Sequence, residues 1–166
     1  MGSFHQNMME YKKQLEKGAI QDAYRGLMDY FNALRIHFKK NYPGHSVSGS
    51  VYYGFMDMTY FAIIPKSLKR QKLKIAIVFL HKDFRFEVWL AGFNKKIQTK
   101  YWNLIKESNW KQYCLPNLTK GVDAILEHVL VKNPDFTDLG ELTKQIENGT
   151  QNFIENVECF LTKKSP

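Results

Sequence analysis

The run Ile75-Ala76-Ile77-Val78-Phe79-Leu80 constrains this chain more than any other feature of it. Successive side chains of a strand point to opposite faces, so a segment apolar at every position has no face to offer water. Leu73 to Leu80 is therefore expected to be an interior strand covered from both sides. Its neighbours carry the same signal in weaker form. Val47 to Tyr53 and Met58 to Ile64, separated by Gly54-Phe55-Met56-Asp57, read as a hairpin of β-branched and aromatic residues that Pro65 stops. Arg85 to Gly92 alternates Phe86, Val88 and Leu90 against Arg85, Glu87 and Trp89, which predicts a strand with one apolar and one mixed face.

Helical periodicity frames these strands. Ile20, Ala23, Tyr24, Leu27, Phe31, Leu34 and Phe38 recur at spacings of three and four, one stripe of a helix that runs to about Lys40. Asn41-Tyr42-Pro43-Gly44 ends it, with Lys39 and Lys40 meeting the negative helix end. A short helix from about Gln6 to Lys17 precedes it, broken at Gly18. Asn94 can cap a helix from Lys95 to about Ser108, and Asp138 can cap a last one that Gly149 bends or divides. Val122 to Val131 fits either period; Lys132-Asn133-Pro134 closes it so soon that a strand is the expectation.

With 166 residues, 44% of them hydrophobic and 24% charged, the chain is expected to form a single domain over 1–166 around one core. The class is α+β: a single central, mostly antiparallel sheet of four to five strands, packed with an N-terminal helical hairpin, a middle helix and a C-terminal helix.

The net charge is +8, and the excess lies in residues 1–112, whereas 113–166 is mildly acidic. Such a charge draws polyanions at low salt. Cys114 and Cys159 are the only cysteines and form no paired framework, which suits a reducing compartment. Neither a secretory signal nor a long apolar run is present, so a cytoplasmic protein without membrane contact is expected. The five histidines form no ligand-spaced cluster, and phosphate loops, dinucleotide fingerprints and nucleophile elbows are missing. No metal and no cofactor is therefore expected.

The densest aromatic stretch, Tyr52 to Phe61, nominates a ligand site. Tyr52, Asp57 and Tyr60 could present hydroxyls and a carboxylate from the open face of the hairpin, joined by Glu87 and Trp89 from a neighbouring strand. The same rings also serve simply to cover a sheet, since aromatics are favoured in strands. Glu87 reads either as half of an ion pair with Arg85 or Lys74, or as an acid–base group beside Trp89. Glu127 and His128 would join such a site if the late strand lies adjacent. A second candidate surface is basic: Lys66, Lys69, Arg70 and Lys72 in an exposed connection, and Lys95, Lys96 and Lys100 on the middle helix.

Two stretches, Ser48 to Phe61 and Phe84 to Gly92, resemble a bacterial family of small proteins known only as a domain of unknown function, over most of the chain. That resemblance implies a bacterial cytoplasmic setting and supplies no reaction. The order of elements is also similar to that of the restriction-endonuclease-like fold, whose nucleases place Glu-x-Lys on a strand. Here the triplet is Glu87-Val88-Trp89, which implies at most an inactive relative.

Three readings follow. The first is a non-catalytic domain that binds an unknown small molecule or protein through an aromatic-lined sheet face. The second is a nucleic-acid-associated basic protein. The third is a small enzyme using Glu87 with Asp57.

Overall fold

The computed structural model describes residues 2–118 and 122–164. In chain order the elements are α1 (Phe4–Glu16), α2 (Ala19–Asn41), β1 (His45–Val47), β2 (Met58–Pro65), α3 (Lys66–Arg70), β3 (Leu73–Leu80), β4 (Arg85–Gly92), α4 (Lys95–Ser108), β5 (Ala124–Lys132) and α5 (Leu139–Lys164). The strands form one five-stranded sheet in the order β1-β2-β3-β4-β5, and every neighbouring pair is antiparallel. The α+β class and the single sheet agree with the sequence reading, and residues 124–132 are a strand.

The apolar run does become the central strand β3. Its two faces are covered differently, however. Ile75, Ile77 and Phe79 point into one large core with Phe61 and Ile63 of β2, Phe86, Val88 and Leu90 of β4, and the inward residues of α2, α4 and α5. Burial of each such side chain contributes roughly 1.5–3 kcal/mol. On the other face Ala76 and Val78 join Trp89 and Ala124 in a smaller cluster that contains no helical residue. Ala76 is paired with Ala62 and Trp89, and Val78 with Tyr60 and Glu87, so large side chains from both flanking strands close over the small central ones. The second cover that the sequence demanded is made by the sheet itself.

Local chemistry explains where the elements stop. Asn94 Oδ1 accepts from Ile97 N at 3.0 Å and Asp138 Oδ1 from Glu141 N at 2.9 Å, as expected of helix caps. The first strand of the hairpin is His45–Val47, which shares only Val47 with the expected Val47 to Tyr53. Past Val47, the Ser48 hydroxyl accepts from Ala62 N and donates to Ser50 O, so a side chain replaces a rung of the ladder and the pairing resumes only at a Tyr52–Tyr60 bridge. The basic connection after Pro65 contains a short helix, α3, anchored by Leu68, which is fully buried while its cations remain in solvent. Gly149 does not divide α5, which is continuous from Leu139 to Lys164. A Cβ there would lie 2.6 Å from Leu130 Cδ2, so the glycine lets β5 approach the helix closely.

Candidate functional site

Four of the five sequence-nominated ligand residues share the helix-free face of the sheet. Tyr52 lies against Tyr60 with ring centroids 4.9 Å apart, and Tyr60 and Trp89 both border a depression of about 50 Å³. That volume holds little more than one water. Trp89 Nε1 donates to Glu87 Oε2 at 2.6 Å and Arg85 Nε donates to Glu87 Oε1 at 2.7 Å. Both carboxylate oxygens are thus held by residues two positions away on the same strand, and Glu87 is only 2% exposed. Glu127 stands opposite Trp89 on β5, and burial, reinforced by the nearby Glu87 charge, pushes its carboxyl above the usual range. His128, paired with Val88, turns to the helical face, where it meets the Tyr113 ring edge-on at 5.0 Å.

Asp57 is placed elsewhere. It closes the turn before β2, where its carboxylate accepts from Phe55 N at 2.8 Å. Backbone hydrogen bonds from Met58 and Phe55 hold its carboxyl below the usual range. Its own carbonyl accepts from His81 N at 3.0 Å, which ties this turn to the end of β3. Gly54 opens the turn at φ +69, and a Cβ on it would lie 2.2 Å from Met58 O, so only glycine fits there.

The two basic clusters come together. Phe93 N donates to Lys72 O at 2.9 Å and Tyr101 Oη to Gln71 Oε1 at 3.0 Å, which brings the α3–β3 junction against the first turns of α4. Lys66, Lys69, Arg70, Lys72, Lys95, Lys96 and Lys100 are all exposed at this end of the sheet, and none enters an ion pair among the described residues.

At the opposite end lies a cavity of about 500 Å³ that the sequence reading did not single out. Its wall is the first half of the α2 stripe, with Ile20, Ala23, Tyr24 and Leu27. They lie on the apolar stripe of the helix, yet Ile20 and Ala23 are exposed, Tyr24 is half-buried, and of the four only Leu27 packs against the main core. Farther along the same stripe, Phe31, Leu34 and Phe38 are buried against the strands. Phe79 and His81 at the end of β3, Phe84 from the following turn, Met56 from the Asp57 turn and Phe136 before α5 complete the enclosure. Met56 and Phe84 have φ of 60° and 48°, the left-handed region that side chains avoid at a cost of roughly 1–2 kcal/mol. The rim is therefore built from turns whose local preference is overruled. A signal did exist: two large apolar residues, Met56 and Phe84, sit at turn positions where polar residues and glycine are normally found.

The polar corner of the cavity is small and specific. Thr59 Oγ1, fully buried, donates to Tyr53 O at 2.9 Å and lies 2.9 Å from His81 Nε2. A hydroxyl has one proton, and the carbonyl can only accept, so His81 Nε2 must donate to Thr59. Burial lowers the His81 pKa, with Asp57 pulling weakly the other way, and the ring is neutral at pH 7.

Across residues 4–161 the chain matches a family model described as a domain of unknown function, DUF7000. No curated protein and no solved structure matches. No described helix is long and apolar enough to cross a membrane.

Proposed function

We propose that this chain, which belongs to the DUF7000 family, is a non-catalytic binding domain that takes a small, largely apolar ligand into the cavity between α2 and the β3–β4 turn. The single observation that carries this reading is the cavity itself. Its volume of about 500 Å³ falls in the range of small-molecule sites, and its walls are aromatic and aliphatic with a single histidine. The fold holds Met56 and Phe84 in unfavourable backbone geometry at the mouth, and such strain concentrates at ligand sites.

An environment-sensitive apolar dye, N-phenyl-1-naphthylamine, tests the reading. Saturable uptake at one dye per chain is expected, lost in Leu27→Trp, which fills the cavity, and kept in Trp89→Phe. The reverse pattern would move the ligand to the sheet face, onto Tyr52, Tyr60, Glu87 and Trp89, with Asp57 outside the site. Absence of saturable uptake removes both locations.

A second reading, association with nucleic acid, is favoured by one observation: two lysine-rich clusters distant in sequence converge on one end of the sheet without an ion-pair partner among the described residues. Binding of single-stranded or duplex DNA should then fall steeply between roughly 50 and 200 mM salt, and neutralising Lys66, Lys69, Arg70 and Lys72 together should flatten that dependence. An unchanged salt slope in that variant would exclude this surface.

A further inference from the structure

Within the cavity the hydrogen-bonding capacity is nearly exhausted. The Tyr30 hydroxyl lies 3.1 Å from Thr143 Oγ1, and Tyr24 Oη donates to Tyr53 O at 3.4 Å. His81 Nε2 is committed to Thr59. Among the side-chain nitrogens and oxygens of the residues that line the cavity, only His81 Nδ1 has no hydrogen-bond partner among the described residues. In the neutral ring with its proton on Nε2, Nδ1 is an acceptor. Among the described residues no Lys, Arg, Asp or Glu lines the cavity, and the charge that acts on His81 is the negative Asp57.

We infer that the cavity selects a neutral molecule with an apolar body and one hydroxyl or N–H donor, received by His81 Nδ1, and discriminates against the matching carboxylate. The inference rests on the binding role proposed above and adds the chemistry of the ligand's polar end. A carboxylate would bring two acceptors and a charge to a corner that offers another acceptor, no cation and a nearby anion. Desolvating it there would go uncompensated. A phenol or alcohol of the same length pairs its proton with Nδ1 and leaves its carbon skeleton against Tyr24, Leu27 and Phe84. The Thr59–Tyr53 relay is what turns the acceptor nitrogen outward, so Thr59 acts as a positioning residue, from a side chain no ligand touches.

The test compares 4-heptylphenol with 4-heptylbenzoate by isothermal titration calorimetry on the full chain at about pH 8, where His81 is neutral and the benzoate fully ionised. The phenol should bind at least about tenfold more tightly, the worth of one well-made hydrogen bond. In His81→Phe the affinity for the phenol should fall about tenfold, the loss of that hydrogen bond, while an apolar dye is still taken up. A nitrogen-15 spectrum of the wild-type imidazole should also report a proton on Nε2 and none on Nδ1, a readout that needs no variant. Equal affinity for the two ligands, a phenol affinity unchanged in His81→Phe, or a proton on Nδ1 each overturn the inference while leaving the cavity reading intact. Binding of neither compound, together with absent dye uptake, overturns both.

Discussion

The two ends of the sheet are built from the same strands and solve opposite problems. At one end β2 passes into β3 through α3, a single buried leucine pins that helix, and seven cations fan into solvent with the first turns of α4. At the other end β3 passes into β4 through a tight turn, and the chain keeps Met56, Phe84 and Phe136 around an unfilled volume. Helix α2 spans the difference along its own length: its second half is sealed against the strands, whereas its first half overhangs the cavity. A stripe of apolar residues is therefore not evidence of a filled core. It states that a surface avoids water, and the tertiary arrangement decides whether protein or a ligand does the covering.

The sharpest way to break this contrast is to make the same change at both ends. Leu68→Ala, which empties a fully buried position under the basic end, should cost about 2–5 kcal/mol. Leu27→Ala, on a wall already open, should cost about 1 kcal/mol. Urea denaturation of the two variants measures the difference, and equal losses would mean that the cavity closes in solution.

The rim offers a second comparison. Met56 adopts φ 60°, so Met56→Gly should be more stable than Met56→Val by about 1–2 kcal/mol, because glycine alone enters the left-handed region freely. If the two variants melt together, the rim is unstrained.

The smallest effect is one of pH. Burial lowers the His81 pKa from 6.5, so the unfolded chain takes up the proton more readily than the folded one. The stability associated with the neutral ring is whole above pH 6.5 and is lost as the pH falls through the depressed folded value. His128 acts in the same direction. Glu127, with a raised carboxyl pKa, acts in the opposite one: its contribution is whole below pH 4.5 and lost as the pH rises through the folded value. Replacing His81 by Gln should therefore shrink, without abolishing, the loss of stability between about pH 7.5 and 5.5. An identical loss in the variant would place no titrating group at the cavity.

Much of the architecture was legible in the residues. The α2 stripe, the Asn94 and Asp138 caps, the doubly apolar β3 and the alternation of β4 all rest on periods and caps that are settled within a few residues. The strand at 124–132 was legible through its closing Asn-Pro. The placement of the first hairpin strand at His45–Val47 was harder, since the pairing past Val47 gives way to a Ser48 hydroxyl reaching Ala62 across the hairpin. Of the nominated ligand residues, the shared face of Tyr52, Tyr60, Glu87 and Trp89 followed from strand parity, but the filling of Glu87 by Arg85 and Trp89 depends on rotamers that no pattern encodes.

By itself, then, the amino-acid order determined the kinds of element, their sequence and the sheet that joins them, because hydrophobic period and capping act over a turn or two of chain. Tertiary structure alone decided that one face of the sheet would go without helices, that two lysine clusters would meet, and that His81 would carry its proton on the nitrogen facing Thr59. Each of those outcomes depends on groups brought together from distant parts of the chain, and a hydrogen bond or a void exists only once both sides of it are in place.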